Sequence, residues 1–436
     1  MTVESQEMGA VQRREWFIHD RFGLFIHWGI YALAARHGGN GLAEWIKSGE
    51  KMSDAQYQRY FDHFDPDLYD PAAWASMAKR AGMRYAVITT KHHDGFCLWD
   101  SQLTDYKATR TPAGRDLLRP WVEAFRTEGL KIGFYHSLID WHHPEFPVDG
   151  FHPQRDDLAF REASQQRDMR KYVEYLHGQV RELLTGYGQI DILWLDFSYP
   201  SMDWGWSKGK GSQDWQGQRL VEMVHELQPA ILLNDRVGVD PDFYTPEQLQ
   251  PAQWVQVDGR RVTWEACHTL NGSWGCDRDN LDWKSPELLV RMLIDTVSKG
   301  GNLLLNVGPT ARGQFDARSK AILDAIGCWM RLHCRAIYGA TASDWSAPAD
   351  CRFTQRGIGC TCISLPGLCR RSTCQGLQVE WSMPNCFMMV LRYICRAMGT
   401  MIHSRSPYLF SALRCSCLFW SYFSGRAHGL KENLPL

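Results

Sequence analysis

Six short apolar runs recur along the N-terminal three quarters of the chain, each closing on polar or ionisable positions. They are Phe22-Gly-Leu-Phe-Ile-His27, Tyr85-Ala-Val-Ile-Thr-Thr90, Lys131-Ile-Gly-Phe-Tyr-His136, Ile190-Asp-Ile-Leu-Trp-Leu-Asp196, Ile231-Leu-Leu-Asn-Asp-Arg236 and Asn302-Leu-Leu-Leu-Asn-Val307. Near-continuous apolar character is what a parallel strand covered on both faces requires. Stretches with helical spacing lie between them. Asp70-Pro71 supplies a cap and a first-turn proline, Trp74, Met77, Ala78 and Ala81 follow on one face, and Gly82 ends the segment. Met169, Tyr172, Val173, Leu176, Val180, Leu183 and Leu184 form a longer stripe closed by Gly186, and Ser285-Pro286 opens another that ends before Gly300. Strand alternating with helix over about 300 residues predicts a parallel α/β fold, a (β/α) barrel rather than an open sheet. No glycine-rich phosphate loop follows any strand, which argues against nucleotide binding.

With 436 residues the chain suits one large catalytic domain and a smaller companion. The formal net charge of −1 provides no electrostatic reason to seek nucleic acid or an acidic membrane, so neither is expected as a partner. Aromatic residues make up 12%, which suits a sugar-binding cleft as well as a large core. No run of about 18 apolar residues is free of charge, so no membrane span is expected. The first residues carry Glu4, Glu7, Arg13 and Arg14 without an apolar core, so a cytoplasmic protein with reduced thiols is expected.

Cysteines divide the chain unevenly. Five lie before residue 351 and nine after residue 350, where ten Lys and Arg face only Glu380 and Glu432. Paired CxxC elements or matching His spacings, which a zinc site needs, are missing, and a disulfide framework conflicts with the lack of an export signal. The crowded Cys, Ser, Arg and Met instead point to a frameshifted or misassembled segment after about Gln355. The expected division is a catalytic barrel over 1–340 and an altered C-terminal region over 341–436.

Candidate chemistry gathers where the strands end, the face on which such barrels build active sites. There lie His27, Lys91-His92-His93-Asp94, Tyr135-His136, Trp194, Asp196 and Asn234-Asp235-Arg236. Asp196 follows Ile192-Leu193-Trp194-Leu195, so a carboxylate on a buried strand should emerge at the rim, as a turn residue or as a nucleophile. His92 and His93, adjacent on a strand, point to opposite faces and cannot easily hold one ion. With no HExxH set nearby, no metal and no cofactor are expected, and hydrogen bonding to hydroxyls is the better reading.

Taken in order, these motifs resemble the α-L-fucosidases of glycoside hydrolase family 29. The resemblance runs through Trp16-Phe17, Phe22-Gly-Leu-Phe-Ile-His27-Trp28-Gly29, Glu44-Trp45, Lys91-His92-His93-Asp94-Gly95-Phe96, Leu193-Trp194-Leu195-Asp196-Phe197, Asn234-Asp235-Arg236, Trp264-Glu265, Ser273-Trp274-Gly275 and Gly300 to Pro309. It implies an irregular (β/α) barrel followed by a β-sandwich, and retaining hydrolysis of terminal α-L-fucose from an oligosaccharide or glycoconjugate without a metal. It matches Asp196 to the nucleophile. His27, Glu44, Trp45, His92, His93, Tyr135, Trp194, Arg236 and Trp274 match positions that line the fucose pocket. Glu247, in the loop after the Asp235-Arg236 strand, is the expected acid/base. Glu265 is its rival, or else a residue that orients the pocket. Two departures stand out. Cys276 replaces a tyrosine after Trp274-Gly275, and the tail lacks the alternating strands of the β-sandwich. The alternative is therefore a non-catalytic fucose-binding protein, or an inactive remnant with a damaged C-terminus.

Overall fold

Buried on both faces, the apolar runs assemble into a parallel sheet. The computed structural model of the chain describes residues 3–349, 351–357, 359–364 and 390–394. Its main strands are β1 (Phe22–Ile26), β2 (Tyr85–Lys91), β3 (Lys131–Ser137), β4 (Ile192–Asp196), β5 (Leu232–Leu233), β6 (Glu265–Thr269) and β7 (Asn302–Val307). They are hydrogen-bonded in the order β5-β4-β3-β2-β1-β7-β6, every neighbouring pair parallel. All residues of β1, β2, β6 and β7 are buried. The Pro71–Arg80 helix starts where Asp70 accepts from the Ala73 amide, and the Pro286–Ser298 helix where Ser285 accepts from that of Leu288. No helix among the described residues is long and apolar enough to cross a membrane.

Two elements differ from the pattern read along the chain. The predicted Ile231–Arg236 strand is only Leu232–Leu233, because the Asn234 side chain takes over the ladder. Its Oδ1 accepts from the Leu195 amide at 3.0 Å and its Nδ2 donates to the Leu195 carbonyl at 2.8 Å. The backbone then turns through a 3-10 turn, Asp235–Val237, ended by Gly238 at φ 76°. Strand β6 was not expected, since Glu-Ala-Cys-His-Thr has no apolar run. It forms because β7 pairs with it on one side.

On its other side an irregular stave, residues 243–247, bridges β5 and β6. Asn234 pairs with Phe243, Tyr244 with Trp264 and Glu247 with Cys267, all parallel. The Glu265 amide donates to Tyr244 O at 2.9 Å and the Cys267 amide to Pro246 O at 3.1 Å. Pro246 has no N–H to give, which helps keep the stave from being a regular strand.

Inside the barrel, Gly23 of β1 lies against Tyr85 of β2. A Cβ at Gly23 would come within 2.3 Å of that ring, so only glycine leaves room for it. Phe25, Tyr135, Trp194 and Trp274 belong to the apolar cluster above.

The chain divides into two compact units, Met1–Ala342 and Ser343–Leu436. In the second, Cys351–Arg356 pairs antiparallel with Gly359–Ser364, and that strand with Val390–Ile394. Cys351, Phe353, Cys360 and Cys362 pack together there. Two of these strands lie beyond about Gln355, where no alternation was expected. The remaining residues of the expected frameshifted tail lie outside the described ones.

Candidate active site

Register brings the chemistry together. Tyr135 sits beside Trp194, and Ser137 beside Asp196, at the carboxyl ends of β3 and β4. The Tyr135 hydroxyl donates to Asp196 Oδ2 at 2.8 Å. The 3-10 turn after Asn234 carries Arg236 inward, where Nη1 donates to Asp196 Oδ1 at 3.1 Å and Nη2 to Glu247 Oε2 at 2.9 Å. One guanidinium therefore touches both carboxylates. Its carbon also lies 5.1 Å from the Trp194 ring centroid, a cation–π distance.

Burial pushes the Asp196 carboxyl up to about 6, with Arg236 opposing the rise and Glu247 adding to it. Burial would lower the Arg236 guanidinium, but the two carboxylates more than offset that and hold it charged. After Asp196 the chain turns sharply: Phe197 has φ 81°, a left-handed conformation uncommon for a bulky residue.

The histidines stand neutral at the rim. His27 Nδ1 lies 2.7 Å from Asn306 Oδ1, and burial pushes its ring down to about 3. Asn306 in turn donates to Trp274 O at 2.7 Å. His93 Nδ1 lies 2.7 Å from Ser137 Oγ, whose own hydrogen goes to Ile139 O. His93 must therefore carry its proton on Nδ1, leaving Nε2 as an acceptor. Burial, then neighbouring histidine rings, holds His92 and His93 well below the usual range.

The opposed-face argument for His92 and His93 does not hold. Strand β2 ends at Lys91, so both rings follow in a turn and converge, with centroids 4.0 Å apart. Gly95 makes that turn possible: at φ 86° it packs so closely that a Cβ would lie 2.3 Å from Asp140 Oδ1. Among the described residues no group of three or more His, Cys, Asp or Glu is arranged to hold a metal ion.

These side chains enclose a cavity of about 610 Å³, open mouth included, within the size range of small-molecule sites. Its lining includes His27, Trp45, His92, His93, Tyr135, Trp194, Asp196, Arg236, Glu247 and Trp274. Phe25, Leu42, Phe197 and Cys267 also line it and were not singled out from the sequence. Phe25 could have been found, since it precedes His27, the residue just past β1, by two positions, and their ring centroids lie 4.4 Å apart. Cys267 was hidden by the unrecognised β6, and Phe197 by a backbone conformation that no local pattern announces.

Glu44 and Glu265 are not among the lining residues. Glu44 lies against the 273–275 backbone, its Oε2 accepting from the Gly275 amide at 2.9 Å. Its Oε1 is buried with no hydrogen-bond partner among the described residues, and burial raises the carboxyl to about 7 against that amide's pull. Glu265 begins β6, wholly buried, bonded to the Tyr85 hydroxyl and reached by Trp194 Nε1 at 3.4 Å. Cys276 lines a separate small pocket with Asp277 and Asp316 rather than this cavity.

Two carboxylates facing one cavity with aromatic walls, at the carboxyl rim of a (β/α) barrel, define a glycoside hydrolase. Comparison with known proteins narrows the class. Residues 1–335 match the family model described as Alpha-L-fucosidase, and the chain belongs to that family, glycoside hydrolase family 29. Alpha-L-fucosidase isoenzyme 1 from Paenibacillus thiaminolyticus is 48% identical with a TM-score of 0.77, covering 83% of this chain and 85% of that one. A family 29 α-L-fucosidase from Bacteroides thetaiotaomicron, solved as a trapped covalent intermediate with 2-fluoro-fucosyl fluoride, is 28% identical with a TM-score of 0.70, covering 81% and 82%. The plasma α-L-fucosidase of Homo sapiens is 29% identical over 364 residues, 76% of this chain and 71% of the human one.

Proposed function

We propose that the cavity holds a terminal α-L-fucosyl residue of an oligosaccharide or glycoconjugate and cleaves its glycosidic bond with retention, using Asp196 as nucleophile and Glu247 as acid/base. The observation that carries this reading is the Arg236 fork, whose two arms meet the two carboxylates across the same cavity. Glu265 is the weaker candidate for acid/base because it lies beneath the cavity, bonded to Tyr85 and Trp194. The catalytic part is assigned to residues 1–340.

In the first step Asp196 attacks the anomeric carbon from one face while Glu247 protonates the departing glycosidic oxygen. A covalent fucosyl ester results. Glu247 then takes a proton from water, which attacks the same carbon and releases Asp196. Two inversions leave the configuration retained, in keeping with the Bacteroides relative trapped as a covalent intermediate. A retaining pair stands about 5–5.5 Å apart in the reacting complex.

The surrounding groups suit a deoxy-sugar. Neutral His27, His92 and His93 can bond ring hydroxyls without the cost of burying a charge. Trp45, Trp194 and Trp274 offer flat apolar walls, including one for the fucose methyl group. Glu44 stands behind this wall rather than in the cavity, its Oε2 accepting from the Gly275 amide next to Trp274.

Replacing Asp196 by glycine tests the assignment. Hydrolysis of 4-nitrophenyl α-L-fucoside should be lost and partly restored by azide, giving a fucosyl azide of inverted configuration detectable by NMR. Turnover like that of the wild type in Asp196→Gly would eliminate Asp196 as nucleophile.

A further inference from the structure

We propose that Thr245 is a positioning residue that fixes the rotation of the Arg236 guanidinium, so that one arm meets each carboxylate. This rests on the reading of Asp196 and Glu247 as the reacting pair and adds to it the part that aims the cation between them.

Arg236 is gripped on the edge away from Asp196. Its Nε donates to Thr245 Oγ1 at 2.9 Å, and Nη2 donates to Thr245 O at 3.2 Å as well as to Glu247. A threonine hydroxyl has one hydrogen. Here it goes to Asp235 Oδ1, which leaves the oxygen lone pairs turned toward the Arg236 Nε–H. The opposite orientation would set two donors against each other, so Asp235 selects the direction that Arg236 needs.

Thr245 can hold this position because its own backbone is held. It lies on the stave between β5 and β6, flanked by Tyr244 O accepting from the Glu265 amide and Pro246 O accepting from the Cys267 amide. It is buried, and its branched Cβ leaves few rotamers. Glu247 comes two residues later, the spacing that returns side chains to one face of an extended segment.

A guanidinium is a rigid planar fork, and its value for two separate acceptors depends on the angle of that plane. Without the Nε anchor the attraction to the carboxylates remains, but the plane can rotate and favour either one. Asp196 is faced by Tyr135 from β3, His93 from the turn after β2, Arg236 from the turn after β5, Glu247 from the stave and Cys267 from β6. Arg236 is the cation that contacts it directly, so a wandering fork lets Asp196 take up its proton at higher pH.

The test is the pH profile of kcat/KM on 4-nitrophenyl α-L-fucoside for the full chain carrying Thr245→Val or Thr245→Ser. Valine keeps the shape and removes the hydroxyl. The acidic limb should move to higher pH and the plateau should fall by about tenfold, the scale of one lost hydrogen bond to a charged group. Serine keeps the hydroxyl and should restore the wild-type profile. A valine profile superimposed on the wild type would overturn the proposal, and so would serine and valine being equally impaired, since the methyl contact would then be responsible. Should Thr245→Val fail to fold, Thr245→Ala removes the same hydroxyl and carries the same expectation and the same refutation. An unshifted limb alongside an inactive Asp196→Gly sinks only the role of Thr245. A fully active Asp196→Gly sinks the reading of the pair.

Discussion

Glu265 is a buried carboxyl whose proton should be visible in stability. Burial raises it from 4.5 to about 8, against the pull of the Tyr85 and Trp194 hydrogen bonds. The folded chain therefore binds this proton more tightly than the unfolded one. The group favours folding fully below about pH 4.5, where it is protonated in both states, and that contribution is lost as pH rises toward about 8. Between pH 5 and 7 the loss amounts to roughly 2–3 kcal/mol, at about 1.4 kcal/mol per unit.

In Glu265→Gln the side chain is neutral at every pH, so this slope disappears. Any change in bonding to Tyr85 is the same at pH 5 and pH 7 and cancels in the comparison. The assay is thermal unfolding of both proteins from pH 5 to 8 at one scan rate. The Tm of the variant minus that of the wild type should grow by several degrees as pH rises, since about 1 kcal/mol moves Tm by about 2–4 °C in a domain of 150–250 residues and by less in a larger one. A Tm difference independent of pH would refute the buried neutral carboxyl. The same variant should keep its hydrolysis of natural fucosides, because the proton delivered to the leaving oxygen comes from elsewhere.

Two further outcomes are expected. Glu247→Ala should lose about 10²–10⁴-fold on a natural fucoside in its first step but far less on 4-nitrophenyl fucoside, whose leaving group needs little protonation; this leaving-group dependence in Glu265→Ala instead would exchange the two assignments. Gly23→Ala forces a Cβ to within 2.3 Å of the Tyr85 ring and should cost about 1–3 kcal/mol by overpacking, while leaving the pH profile of catalysis unchanged. An unchanged Tm would mean that β1 and Tyr85 have room to separate.

Legibility in the sequence followed burial. Strands β1, β2, β3, β4 and β7 were readable because sheets covered on both faces need unbroken apolar runs, and their rims announced Asp196 and the histidines. Strand β6 was not, because Glu265 and His268 interrupt any such run and are tolerated only where the fold supplies partners or burial. The His92-His93 geometry does not follow strand periodicity because the strand stops two residues short of His93, at Lys91, and Gly95 allows a turn.

The linear order of residues determined which chemistry the chain carries: the family motifs, the strand-end acids and histidines, and the alternation that makes a barrel. Tertiary structure decided how that chemistry is divided. Glu247 faces Asp196 because the 243–247 stave closes the gap between β5 and β6, whereas Glu265, equally recognisable as a motif, is sealed beneath Trp194. Both are carboxylates on neighbouring segments, and what separates them is long-range pairing and burial, which no local pattern of side chains encodes.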